Sequence, residues 1–336
     1  MNSLQKLMLN GNPLSGCRPS EFVSLIALEY LDLSWNKFNG PIASTLGDFL
    51  KLYQLNLSNY HFSQGIPFKL EKLVQLNDLD LSHNSLEGSI PLEISNTESL
   101  HTLNLSHNNL SGSIPSSFEG MHNLSYGDIS YNELEEIGKL NSLMKLDLSN
   151  KQLSGSIPTS LGELTNLTSL YLCNKNLSST IPNEIGKLKS LVELILSKNQ
   201  LNSSIPTSLG IPFKLEKLVQ LNELDLSHNS LEGSIPPENS NMESLQTLNL
   251  SNNNLLGFIP SSLEGMHSLS YVDVSYNELE GPLPNIRAFR QALPEALQGN
   301  KGLCGNVEGL QPCTPGSRKD RKRCTSLLKE VAWLQF

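Results

Sequence analysis

The stretch Leu221–Ser244, LNELDLSHNSLEGSIPPENSNMES, decides how the rest of the chain is read. Leu221, Leu224, Leu226, Asn229 and Leu231 fall as L-x-x-L-x-L-x-x-N-x-L. Ile235-Pro236 follow, and Leu245 starts the next copy, so the period is 24 residues. The spacing fits one short strand, a turn and a 3₁₀-like or irregular return in each copy. A single copy cannot bury its own leucines, so copies must stack.

Working outward, twelve copies align on their first leucine: Leu4, Leu28, Leu52, Leu76, Leu100, Leu124, Leu143, Leu167, Leu191, Leu221, Leu245 and Leu269. Nine of the intervals are 24 residues; Leu124 to Leu143 is 19 and Leu191 to Leu221 is 30. The short copy loses its G-x-I-P segment. The long one carries a second return that restarts at Ile211-Pro212. Residues 66–135 recur at 211–280 with 58 of 70 positions identical, which reads as a duplication with an imperfect junction. The six extra residues are expected on the outer side, because the strand ladder has a fixed spacing.

Each position has a physical task. Positions one, four and six (Leu76, Leu79, Leu81) point inward, each contributing roughly 1.5–3 kcal/mol by burial. Asn at position nine is expected to bond backbone groups of its turn and of the next repeat. Nine copies keep it. Tyr60, Lys151 and Lys175 replace it in the others, and a weaker ladder is expected there.

The chain has 336 residues and a formal net charge of -9, which disfavours nucleic acid as a partner. No apolar run approaches the ~18 residues that cross a bilayer, so no membrane insertion is expected. The start already reads as a repeat, and no signal peptide is expected there. The cysteines are Cys17, Cys173, Cys304, Cys313 and Cys324. After Pro282 the pattern decays into QGNKGLCGNVEGLQPC. A terminal repeat has an open apolar end, so a cap pinned by Cys304 and Cys313 is expected. The organisation is therefore a solenoid over 1–284, a cap over 285–313, and a basic linker with an unassigned tail over 314–336.

The spacing resembles the leucine-rich repeat. The form in Leu143–Leu164, LMKLDLSNKQLSGSIPTSLGEL, resembles its plant-specific class. YVDVSYNELEGPLPNIRAF followed by EALQGNKGLCGNVEGLQPC is similar to the end of plant receptor-like kinase ectodomains, of the male-discoverer-interacting type. The resemblance implies an α/β repeat solenoid: a right-handed superhelix with a parallel concave β-sheet and an irregular or 3₁₀ convex side. It implies a cell-surface setting and binding of a secreted peptide or protein ligand and a co-receptor ectodomain. The chain departs from the family in showing no signal peptide, no paired N-terminal cysteine cap, no transmembrane helix and no kinase motifs.

Positions two, three, five, seven and eight are expected to face out from the concave sheet. Position five is an acidic column that includes Asp80, Asp128 and Tyr171. Position eight is a His/aromatic column that includes Trp35, His83, His107, Tyr131 and Tyr276. These eight are the ligand-binding candidates, because aromatics on a rigid sheet give contact area at low entropic cost. A ligand with basic and apolar groups would suit them. The bland alternative is that Asp and Asn only solvate the sheet. His83 and His107 sit on adjacent strands, but a pair lacks the ligand set of a metal site. No arginine lies between Arg18 and Arg287, which argues against a bidentate carboxylate clamp.

Eight N-x-S/T sequons occur. Asn109, Asn123, Asn166, Asn176 and Asn202 lie off the concave sheet and are the glycosylation candidates; Asn56, Asn104 and Asn249 would put sugar on it. Cys173 reads as a stray exposed thiol. Polar pairs that recur with the repeat give catalysis no single foothold, so no enzyme activity and no cofactor is expected. The expected function is recognition: an ectodomain that binds a ligand and a co-receptor. The rivals are a secreted decoy similar to polygalacturonase-inhibiting proteins, and a non-functional receptor fragment.

Overall fold

Positions three to five of each repeat form a three-residue strand, from Lys6–Met8 to Tyr271–Asp273, and the twelve pair in parallel in one sheet in chain order. The computed structural model describes residues 3–16, 25–136, 143–149, 154–174, 176–205, 218–237 and 242–313. Cys17, Lys151, Lys175, Cys324, the segment 206–217 and the tail 314–336 lie outside the described residues.

The position-four residues stand directly opposite one another across the sheet, Leu7 on Leu31, Leu55 on Leu79, and so on to Leu248 on Val272. This register survives both irregular intervals: Gly127 pairs with Leu146, and Leu194 pairs with Leu224. Side chains alternate faces along a strand, so positions four and six bury while position five faces out.

A second strand follows in each repeat, where the sequence predicts no strand. These strands, with one from the cap, build a six-stranded and a seven-stranded parallel sheet along one flank. The break between the two falls at Glu133–Glu136, in the copy that lost G-x-I-P. The concave sheet runs through unbroken.

The return is a 3₁₀ turn, as at Phe68–Lys72, Leu92–Asn96 and Thr159–Glu163, each preceded by proline. Proline sets the extended entry and lacks the N–H that would have no partner there. The third residue of the turn (Leu70, Ile94, Leu161) is buried, and its carbonyl accepts the N–H that ends the turn. Where the turn carries Leu-Gly, the glycine is required. A Cβ at Gly162 would run into the Glu184 carbonyl of the next repeat, and one at Gly47 into that of Lys69.

The position-nine asparagines form a ladder that, among the described residues, is interrupted at Tyr60. Asn108 is fully buried. Its Nδ2 donates to Leu105 O, Ser106 O and Leu81 O at 3.0, 3.2 and 2.9 Å, and its Oδ1 accepts the Leu86 N–H at 3.0 Å. The same set recurs at Asn84, Asn132, Asn199, Asn253 and Asn277. The cross-repeat bonds run to the preceding repeat, not to the next one as the sequence reading has it. In the long copy the ladder reaches across without strain in register. Asn229 donates to Leu196 O at 3.0 Å and accepts the Leu201 N–H at 3.1 Å, the bonds that its counterparts make in the regular copies. Tyr60 fills the asparagine slot with a buried ring, packed edge-on against Phe62 (4.9 Å) and tilted against Phe38 (5.7 Å).

The cap continues this construction. Asn300 donates to Val274 O and Leu297 O, both at 3.0 Å, and accepts the Leu279 N–H. Gly302–Cys304 adds a strand beside Glu278–Pro282, and a Cys304–Cys313 disulfide closes it. The short helix Arg287–Arg290 seats Phe289, which with Leu297 covers the last leucines.

Asn108→Ala is expected to lower stability by about 2–3 kcal/mol, because it leaves buried backbone groups unpaired. Asn12→Ala, which loses two local bonds at an exposed site, is expected to cost about 0.5 kcal/mol. Urea midpoints of the two variants check this, and equal midpoints would contradict the ladder's role. Gly162→Ala is expected to cost about 1–3 kcal/mol by overpacking, against near neutrality for Gly120→Ala, where a Cβ meets nothing.

Candidate functional site

The exposed face of the twelve-stranded sheet is built by positions three and five of each strand and edged by position eight. Position five has a task inside the fold. Asp80 Oδ1 accepts the Ser82 N–H at 2.9 Å, and Asp128 Oδ1 accepts the Ser130 N–H at 3.0 Å. Asp32, Asp147, Asp225 and Asp273 do the same. So do Asn56, Asn104 and Asn249. The column is a series of side-chain-to-backbone turns that end each strand.

Position seven is corrected by the structure. Its serines (Ser34, Ser82, Ser130, Ser275) are buried, not presented to a ligand, because the turn folds that residue under the chain. Cys173 occupies this position. It is half-buried, with Sγ 3.1 Å from Ser149 Oγ, so it is not a fully exposed thiol.

Position eight is where the backbone turns left-handed. Trp35, Asn59, His83, His107, Tyr131, Asn174, Lys198, His228, Asn252 and Tyr276 have φ between 52° and 61°. Asn and His tolerate this region better than other residues, so their recurrence has a backbone cause. Trp and Tyr gain nothing from it. Trp35 is 67% exposed and Tyr276 51%. Tyr276 also lies against the cap: a Cβ at Gly299 would stand 2.6 Å from its ring, and Gly299 itself is left-handed.

The structure brings three candidates together. The His83 and His107 rings stack at 3.9 Å, and the His107 and Tyr131 rings at 3.7 Å. Asp80 and Asp128 stand on the same run of strands. Trp35, Tyr171 and Tyr276 belong to other repeats, and at about 4.8 Å per strand the candidates are spread along the sheet rather than gathered at a point. Among the described residues, no group of three His, Cys, Asp or Glu side chains is placed to hold a metal ion.

Position three holds residues the sequence reading passed over. Tyr126, Lys145, Glu193, Glu223 and Tyr271 all face out from it. Lys145 Nζ sits 5.6 Å from the Tyr126 ring centre and 5.0 Å from that of Tyr171. The Tyr171 hydroxyl bonds the Glu193 carboxylate. Reading position three down the aligned repeats would have found them, as it found position five. Between Gln54 and Tyr126 the face dips into a shallow depression of about 250 Å³, lined by Asn56, Asp78, Asp80 and Asn104.

The face is acidic. Positions three and five supply nine carboxylates (Asp32, Asp78, Asp80, Asp128, Asp147, Glu193, Glu223, Asp225, Asp273) against Lys6 and Lys145. Burial raises the Asp128 carboxyl above its ordinary range, with Asp147 adding to the shift. Burial and then Glu193 and Asp225 raise that of Glu223. The five glycosylation candidates, Asn109, Asn123, Asn166, Asn176 and Asn202, are exposed and stand off this face.

The chain matches the Leucine Rich Repeat family over residues 3–25, 27–49, 75–97, 99–121, 142–164 and 166–188, and again over 219–279. No curated protein matches it. Among solved structures, that of PEPR1-AtPEP1 is 34% identical with a TM-score of 0.76, over 83% of this chain and 39% of that one. The plant peptide hormone receptor RGFR1 in complex with RGF2 is 28% identical with a TM-score of 0.66, over 92% and 62%. A plant ice-binding protein is 25% identical with a TM-score of 0.60, over 82% and 80%. The chain thus spans 39% and 62% of the first two of these chains. One fold carries several functions among these neighbours, so the face itself must argue for one.

Asn holds the position-five turn as well as Asp does, so Asp128→Asn is expected to keep the fold while Asp128→Ala costs about 1 kcal/mol. A carboxyl raised in the folded state binds its proton more tightly there than in the unfolded chain. Its contribution to stability is therefore full in acid and falls as pH rises through the ordinary Asp range towards the raised value. Asp128→Asn is expected to match or exceed the parent at neutral pH, with the difference vanishing in acid. Thermal melts across pH check this, and a constant difference would contradict it.

Proposed function

The chain belongs to the leucine-rich repeat family, and we propose that it is the ligand-binding ectodomain portion of a plant receptor-like kinase, of the male-discoverer-interacting type. Its concave face takes a secreted, cationic peptide or protein segment, and a co-receptor ectodomain completes the complex. The reading includes a cell-surface setting and glycans at the exposed sequons. The work is recognition, with no chemistry asked of the protein.

The surplus of negative charge carries this reading. Asn56, Asn104 and Asn249 show that the fold needs an oxygen at position five and not a charge. Like charges on neighbouring strands destabilise a sheet. Carboxylates at six of these positions, with three more at position three, therefore suit a partner of opposite charge. A neighbouring structure, the plant peptide hormone receptor RGFR1 in complex with RGF2, supports a peptide as the kind of partner.

The test is a panel of synthetic peptides of matched length and differing charge, presented to the full chain by calorimetry. Cationic peptides are expected to bind, more weakly as salt rises. The triple variant Asp80→Asn, Asp128→Asn, Asp225→Asn should fold normally and lose about tenfold in affinity. Binding without charge preference, or unchanged in the triple variant, would refute the reading.

A further inference from the structure

The last concave strand, Tyr271–Asp273, faces the cap across a cavity of about 160 Å³. Val272, Ala288 and Ala292 form its apolar wall. Tyr271 and Leu293, both exposed, line it as well, and so do the acidic residues Asp273 and Glu295. Drug-sized ligands occupy about 300 Å³ or more, so this volume suits a single side chain.

The chain contains its own precedent for the occupant. Tyr271 and Asp273 are the duplicated twins of Tyr126 and Asp128. At the first copy the next strand supplies Lys145, whose ammonium lies 5.6 Å over the Tyr126 ring. At the second copy the following segment is the cap, whose arginines Arg287 and Arg290 lie in its short helix, Arg287 Nε donating to Gln291 Oε1 at 2.9 Å, and among the described residues no cation is seated over the Tyr271 ring. The cavity lies beside the equivalent tyrosine instead, with Asp273 and Glu295 among its lining residues. Both bonds that Ser275 makes to Asp273 fall on Oδ1. Glu295 has no ion-pair partner among the described residues. The Tyr271 phenol is raised above its ordinary value by burial, then by Asp273 and Asp225, which agrees with an acidic surrounding.

We infer that this cavity is an anchor site for one lysine or arginine side chain of the ligand, held as Lys145 is held at the twin position: stem against Leu293 and Ala292, cation over Tyr271 and between Asp273 and Glu295. The inference rests on the concave-face reading and adds where the ligand's end is fixed and by which side chain.

The test uses methyl NMR of the full chain with labelled alanine and valine, titrated with N-acetyl-Gly-Lys-Gly-amide and with the same peptide carrying norleucine. The lysine peptide is expected to shift the Ala288, Ala292 and Val272 methyls, and the norleucine peptide to leave them in place. Tyr271→Leu and Glu295→Gln should each weaken the lysine peptide about two- to fivefold. Asp273→Asn, which keeps the Ser275 bond as Asn249 does, should act likewise. Equal shifts from both peptides, or no shift at these methyls, would overturn the anchor. If at the same time longer cationic peptides still bind and lose affinity in the Asp80, Asp128, Asp225 triple variant, the face reading stands and the anchor alone falls.

Discussion

The asparagine amide at position nine is the constraint on which the rest depends. Each repeat turns its backbone inward between two sheets, where neither ladder nor water can reach every N–H and C=O. One amide has two donors and an acceptor, and here it closes four such bonds, two of them to the preceding repeat. Repeats are thereby locked in phase at the turn, not at the return. Across the six-residue insertion Asn229 still closes these bonds and the concave register is kept; across the five-residue deletion, where the sequence has Lys151 at position nine, the strand pairing itself keeps it. Tyr60 shows the alternative, in which ring packing replaces the bonds.

Phase locking turns residues 24 apart into columns, and a column's chemistry adds. Two columns that look like recognition surfaces have backbone duties first. Position five holds the turn's N–H; position eight accepts a left-handed backbone. What those duties do not require is the informative remainder: charge where Asn would suffice, and Trp or Tyr where Asn or His fits better. This remainder makes the face acidic and sparsely aromatic. The ends of the stack differ as well. The cap repeats the ladder through Asn300 but not the concave strand, and so leaves a gap beside Tyr271 that an internal repeat fills with lysine.

Much of this was legible in the residues. The leucine spacing determined the strand positions, the inward faces and the stacking, because burial of a period-24 pattern has one solution. The asparagines, the irregular copies and the cysteine-bearing cap could be placed by eye. Spacing and resemblance left the convex return as irregular or 3₁₀, and the structure makes it 3₁₀. Tertiary structure decided what depends on atoms from neighbouring repeats: the flank sheet, the backward direction of the ladder, the burial of the position-seven serines, the three-ring stack and the cavity at the cap. Those features arise from parallel strands held about 4.8 Å apart. A linear sequence states which residues share a column, and only the stacked fold states how closely they meet.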